Sequence, residues 1–317
     1  MDTTKRMFYP GFSLLFIEVP ATMFRLQGPQ MLQMLEKSLR NFLPESLKVY
    51  GTVFHMIQGN LFNLKVLVDK WPDFNTVVVR PQEQEMRDDF DHYTNTYQIY
   101  SKNPQNCQEF LGRSDVINWK QHLQIQSSQS SLNEAVQNLA VIKRAQVKPI
   151  QCILYIESKT ARRLLLSLPQ TNNLPLKDGK IKTLNEDMFK FSSLSVIHAA
   201  LVNQFWHFGG NEKSQRFIER CIQNFPTICL LGPERNPVCW SVMDQTGEMR
   251  MGATVPEYRG QGLILHAMLA YFQALEKLGF PVYFHTDRNN KTIQKASENL
   301  SCIPMPRNWN QWKCVPL

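Results

Sequence analysis

The run Tyr258-Arg259-Gly260-Gln261-Gly262 stands between a strand-like segment, Glu248 to Val255, and a long amphipathic segment, Leu263 to Leu278. A turn at a helix start aims several backbone N–H groups, reinforced by the helix dipole, at an anion. Two glycines permit close backbone approach and Arg259 adds a positive charge, so the chemistry that suits this turn is binding of a pyrophosphate. The turn lacks the Gly-Lys-Ser/Thr ending of a nucleoside triphosphate loop and the third glycine of a dinucleotide loop. Taken alone, it fits a plain tight turn equally well.

Other reactive residue types point away from metal or thiol chemistry. The seven cysteines (Cys107, Cys152, Cys221, Cys229, Cys239, Cys302, Cys314) are scattered, with no CxxC pair and no Cys/His cluster at zinc spacing. This predicts no metal and a reduced compartment. Cys152 and Cys229 lie in apolar runs, where cysteine acts as a small hydrophobe. The chain carries 35 Lys+Arg against 27 Asp+Glu, a net charge of +8, spread as single residues with no basic block. That pattern argues against nucleic acid and suits a polyanionic small molecule.

The elements that must position the turn can be read from the pattern of apolar residues. With 317 residues, 43% of them hydrophobic, the chain can form one large or two medium domains. Phe12 to Val19 is too short to span a bilayer, carries Glu18 and is flanked by Pro10 and Pro20, so no membrane span is expected. Residues 1–22 read as an appendage without helical period. The spacing from Met31 to Leu43 predicts a helix ended by Pro44. Short β-branched runs at Lys48 to Ile57, Phe62 to Val68 and Thr76 to Arg80 predict strands. A helix-like stretch near Cys107, a Gln/Ser loop at Gln124 to Ser131, a helix at Leu132 to Ile142, a strand at Ile150 to Ile156 and a helix at Thr160 to Leu168 follow. The polar stretch around 171–182 predicts a linker. Beyond it come a strand near Phe189, helices at Val196 to Trp206 and Glu212 to Asn224, and strands at Thr227 to Leu231 and Val238 to Met243. The glycine turn and its helix are followed by a strand at Val282 to His285, a helix at Thr292 to Leu300 and an aromatic tail.

That order, with YRGQG opening a helix, resembles the acyl-CoA-binding half of the GNAT superfamily. From about Met23 onward the chain is similar to the acyl-CoA:glycine N-acyltransferase family, most clearly in LKVYGTVFH, DKWPDFNTVVV, DHYTNTYQIYSK, INWKQHLQIQSSQ, FWHFGGNEKSQRFIERCIQ, DQTGEMRM and WNQWKCVPL. The resemblance implies an α+β fold of two GNAT-like α/β halves, each a mixed, mostly antiparallel sheet flanked by helices. Residues 23–170 would form the first half and residues 183–317 the catalytic half. It implies transfer of an acyl group, benzoyl-like or medium-chain, from acyl-CoA to the amino group of glycine, by a monomer of the mitochondrial matrix. Acyl-CoA would be a cosubstrate, with no tightly bound cofactor.

The same resemblance assigns residues. Glu248, in TGEMRM, matches the catalytic glutamate; the acceptor amine must lose a proton before it attacks, and a base there is expected to have a pKa raised by partial burial. Met249 and Met251 would line the pantetheine arm on a splayed strand. Arg259, Gly260, Gln261 and Gly262 would hold the pyrophosphate, and Asn290 matches an asparagine common after the fifth strand. Two positions depart from the superfamily: Ile264 stands where Gly or Ala is usual, and Ser297 where many relatives carry a tyrosine that protonates the leaving thiolate. The reading gives Arg250 little part, His207 a helix-end role, Trp309 and Trp312 packing roles, and the first half a scaffold role. A relative using another acceptor such as glutamine, and a non-catalytic CoA-binding protein, are the other readings.

Overall fold

The structure, a computed structural model, describes residues 23–164, 183–305 and 309–317. The appendage (1–22) and the linker (171–182) lie outside the described residues. The first half runs β1 (Phe24–Leu26), α1 (Pro29–Arg40), α2 (Leu47–Gln58), β2 (Leu64–Val68), β3 (Thr76–Pro81), β4 (Thr96–Ser101), α3 (Gln108–Leu111), β5 (Leu123–Ser127), α4 (Leu132–Lys143), β6 (Ala145–Ile156) and α5 (Ser158–Leu164). The second runs β7 (Lys190–Ser192), α6 (Ala199–Phe205), α7 (Glu212–Asn224), β8 (Thr227–Leu231), β9 (Pro237–Met243), β10 (Met249–Thr254), α8 (Leu263–Lys277), β11 (Tyr283–Asp287), α9 (Lys291–Asn299), β12 (Ile303–Pro304) and β13 (Trp309–Pro316).

Among the described residues the strands form one sheet, ordered β1-β2-β3-β4-β5-β13-β6-β11-β10-β9-β8-β7, with β12 beside β6. Pairing is antiparallel except at β4–β5 and β10–β11. The two halves exchange strands. The C-terminal β13 pairs with β5 and β6, and β6 from the first half pairs with β11. The aromatic tail is therefore a central strand, and it is fixed by burial of Trp312 and Cys314. Trp312 packs among Leu123, Ile125 and Val136, and its Nε1–H donates to Asn133 Oδ1 at 2.8 Å. This is the expected packing role for Trp312; the side chain of Trp309 is outside the described residues.

Two expectations are corrected. Lys48 to Ile57 is not a strand but most of helix α2. Val49, Val53 and Met56 recur at helical spacing, yet Lys48, Thr52 and His55 on other faces are buried too. A helix covered on several sides loses the polar stripe that marks it in sequence, and its β-branched residues then read as strand. Gln124 to Ser127 is not loop but part of β5. Its glutamines are buried and satisfied across the sheet, with Gln124 Nε2 donating to Thr96 Oγ1 at 2.6 Å and Gln98 Nε2 to Gln126 Oε1 at 3.4 Å.

Helices α1 and α2 join β2, β3, α7 and Trp240 of β9 in a single hydrophobic core, so packing is continuous across the halves. Helix α2 lies against the turn between β9 and β10. A Cβ added at Gly51 would fall 2.1 Å from Thr246 O, and one at Gly247, whose φ is +76°, would fall 2.7 Å from His55 Nε2. Only glycine allows that approach.

Candidate active site

Strand β10 pairs with β11 only at Met249 and Phe284, and after that point the two part. On its other side the ladder to β9 shifts register between Arg250 and Ala253, where Met251 has a φ of +56°. Bulges of this kind bend a strand and redirect its backbone groups. The parting opens a cavity of about 620 Å³, within the range of roughly 300–1,000 Å³ typical of small-molecule sites. Its walls include Met249, Met251 and Gly252 of β10, Phe284 and His285 of β11, and Ile264 of α8. Phe205, Trp206, His207 and Phe208, and Asn289 and Asn290, also line it.

Glu248 and His285 both line this cavity, and their side chains are each only 3% exposed. His285 Nδ1 is 2.7 Å from Glu248 Oε1. The other carboxylate oxygen, Oε2, takes a hydrogen-bonded ion pair from Lys48 Nζ of α2 and lies 3.9 Å from Arg250 Nε. Lys48 Nζ also donates to Thr246 Oγ1 at 3.0 Å, and Arg250 Nη1 donates to Asp244 Oδ2 at 2.9 Å. Asp244 Oδ1 in turn accepts from Thr246 N at 2.8 Å and Thr246 Oγ1 at 2.6 Å, which ties the turn together. Two carboxylates and two cations are thus buried in one hydrogen-bonded group, which is how buried charge is tolerated.

This corrects the expected protonation behaviour. Burial alone would raise the pKa of Glu248, but His285, Lys48 and Arg250 outweigh it and hold the carboxyl well below its ordinary range. Burial pushes His285 down to about 4, against the raising influence of Glu248, so the imidazole is neutral at pH 7. Since an ionised carboxylate can only accept, neutral His285 carries its proton on Nδ1 and donates it to Glu248, leaving a lone pair on Nε2. The arrangement is a carboxylate orienting an imidazole, the pattern of an assisted base.

Met249, Met251 and Asn290 all line the cavity. Asn290 also caps α9, its Oδ1 accepting from Ile293 N at 3.1 Å. Arg259, Gly260 and Gln261 are exposed at the start of α8 and do not line the cavity, but Ile264 on the first turn of that helix does. Gly260 and Gly262 take φ values of +76° and +77°, and Arg259 Nε donates to Thr254 O at 3.0 Å. Ser297 is fully buried and its hydroxyl donates to Ile293 O at 2.7 Å within α9, so it is placed as a structural residue. His207 lines the cavity. Cys152 lines it too, but burial pushes its thiol up to about 12, far from thiolate at neutral pH.

Three members of the site were missed from sequence: His285, Lys48 and Asp244. A lone lysine inside the apolar run LKVYGTVF was the one available signal for Lys48. The first half, expected to act as scaffold, brings Lys48 against Glu248 and Cys152 onto the cavity wall. Among the described residues no group of three or more His, Cys, Asp or Glu is placed to hold a metal ion, and no helix is long and apolar enough to cross a membrane.

Comparison with known proteins bears on family and fold. Residues 23–226 match the family model for aralkyl acyl-CoA:amino acid N-acyltransferase, and residues 228–316 match the model for its C-terminal region. The chain is 71% identical over 295 residues to a Bos taurus protein named glycine N-phenylacetyltransferase, covering 93% of this chain and 100% of that one. It is 67% identical over 295 residues to the Homo sapiens protein named glycine N-acyltransferase, with the same coverage. In fold it is similar to an X-ray structure of a Drosophila protein, with a TM-score of 0.71 at 14% identity over 93% of this chain and 98% of that one. It is also similar to a tandem GNAT protein from the clavulanic acid biosynthesis pathway, with a TM-score of 0.50 at 10% identity and the same coverage. The expected α+β architecture with the GNAT fold is therefore present.

Proposed function

The chain belongs to the aralkyl acyl-CoA:amino acid N-acyltransferase family, and from that premise we propose that it moves a benzoyl-like or medium-chain acyl group from acyl-CoA to the amino group of glycine, releasing an N-acylglycine and CoA. The observation that carries the reading is the Glu248–His285 pair on the wall of a cavity opened by the parting of β10 and β11. The names of the relatives support glycine as acceptor.

The groups present support direct transfer. Glycine's ammonium has no lone pair for attack, so a proton must leave first. The base is Glu248 acting through His285: Nε2 of the imidazole takes the proton, and the carboxylate on Nδ1 stabilises the imidazolium. The freed amine adds to the thioester carbonyl, and the oxyanion forms beside the bulged backbone of Met251 and Gly252, where N–H groups can meet it. The C–S bond then breaks, and the second proton of the attacking nitrogen passes to the CoA thiolate. No cysteine intermediate is required. Arg259, Gly260, Gln261 and Gly262 hold the pyrophosphate outside the cavity mouth, Met249 and Met251 flank the pantetheine arm, and Asn290 faces it from α9.

The test is release of free thiol from benzoyl-CoA by the purified protein with glycine, glutamine, phenylalanine or no acceptor. Glycine-dependent release is expected. Release with glutamine alone would assign another acceptor, and bound CoA with no release under any condition would leave a CoA-binding protein.

A further inference from the structure

The first half of the chain contributes a charge to the reaction centre. We propose that Lys48, on helix α2, is a positioning residue for acyl transfer: its ammonium holds Glu248 ionised and aimed so that the carboxylate keeps its second oxygen for His285. The inference rests on the reading of Glu248 and His285 given above.

The geometry divides the carboxylate between two partners. Lys48 Nζ occupies Oε2 and His285 Nδ1 occupies Oε1 at 2.7 Å. A carboxylate free to rotate could turn either oxygen, or neither, toward the imidazole. Clamped at Oε2 by an ammonium that is itself bound to Thr246 Oγ1 at 3.0 Å, it has one orientation. Lys48 is fully buried and does not line the cavity. It therefore acts on Glu248 and not on substrate.

The reach of Lys48 depends on the contact between the halves. Gly51, one turn on in α2, lies where any Cβ would strike Thr246 O, so the helix and the turn approach as closely as two backbones can. Tyr283 OH of β11 donates to the same Thr246 carbonyl, and the Gly51 Cβ position would lie only 3.0 Å from that hydroxyl.

Removing the ammonium has a defined electrostatic consequence. The groups facing Glu248 are Lys48 from α2, Asp244 from the preceding turn, Arg250 from β10, Tyr283 and His285 from β11 and Cys152 from β6; His55 from α2 faces Asp244, and Cys221 from α7 faces Asp244 and Arg250. Lys48 lowers the proton affinity of both Glu248 and His285. Its loss raises both, while Arg250 remains beside Asp244 and Glu248.

The experiment compares full-length wild type with Lys48→Met, Lys48→Gln and Lys48→Arg, measuring thiol release with benzoyl-CoA and glycine from pH 5 to 9. For Lys48→Met the acid limb of kcat/KM should move upward by about one pH unit or more. kcat at pH 7 should fall at least tenfold while KM for benzoyl-CoA stays within about twofold, the signature of an interaction that acts on chemistry and not on binding. Lys48→Arg should restore the position of the acid limb. If Lys48→Met fails to fold, Lys48→Gln carries the same test, since its amide can still donate to Glu248 and Thr246 without the charge. An acid limb unmoved in a folded, neutral variant overturns the proposal, as does a uniform loss at every pH that Lys48→Arg shares. A wild type that releases no thiol with any amino acid overturns the functional reading instead.

Discussion

His285 Nδ1 lies 2.7 Å from Glu248 Oε1, with both side chains almost wholly buried on the wall of the cavity. Glu248 immediately precedes β10 and His285 lies in β11, strands that pair in parallel at a single point, Met249 with Phe284, and then part. If the pair acts as a unit in proton transfer, as proposed, the consequences can be measured.

Glu248→Gln removes the anion that orients the imidazole and stabilises its protonated form. Turnover should fall by about 10²–10⁴-fold, as for loss of a general base, while binding of benzoyl-CoA, read by titration, persists. Turnover within twofold of wild type would show that Glu248 has no role in proton transfer.

His285→Gln should cost about as much. Because the two residues act on one proton, the double variant with Glu248→Gln should be little worse than either single one. Additive losses, measured as kcat under saturating glycine, would separate the two residues into independent roles.

Arg259→Ala tests the anion site at the start of α8. The guanidinium is exposed and its Nε is held by Thr254 O at 3.0 Å. Loss of a charge-assisted contact to phosphate should raise KM for acyl-CoA by about tenfold and leave kcat nearly unchanged. A fall in kcat at constant KM would place the pyrophosphate elsewhere.

Stability should decline with acidification from about pH 6.5. His285 and His55 are both buried neutral, with burial holding each at about 4, so below 6.5 the unfolded chain binds protons that the folded chain does not. Stability is then full above 6.5 and is lost as pH falls toward 4, by at most about 1.4 kcal/mol per pH unit for each histidine. Glu248 adds to the loss at still lower pH, because its folded pKa is depressed. Urea midpoints at pH 7.5, 6.0 and 5.0 should fall in that order; a flat series would contradict the burial of neutral imidazoles.

Gly51→Ala places a methyl 2.1 Å from Thr246 O, against backbone that Tyr283 OH also holds, and 3.0 Å from that hydroxyl. The strain should lower unfolding free energy by about 1–3 kcal/mol and displace the turn that carries Asp244, reducing kcat as well. A denaturant melt together with kinetics on the same preparation checks both effects.

Much of this molecule was legible in its residues. The strand before YRGQG, the glycine turn itself and the amphipathic helix that follows it are local features, set by side chains within a few residues of one another. So was the likeness that singled out Glu248. Reading failed where burial came from distant chain. Helix α2 looked like a strand because its polar residues point into the protein, and β13 looked like a tail because its partners, β5 and β6, lie far back in sequence.

The sequence alone determined which carboxylate and which glycine turn to watch. Tertiary structure decided what that carboxylate is. Burial, the one influence inferable from an apolar neighbourhood, would have raised its pKa; His285, Lys48 and Arg250 reverse the direction, and Lys48 lies 200 residues away along the chain. Charge interactions depend on distance in space and on exclusion of water, and neither quantity is written in the spacing of residues along a chain.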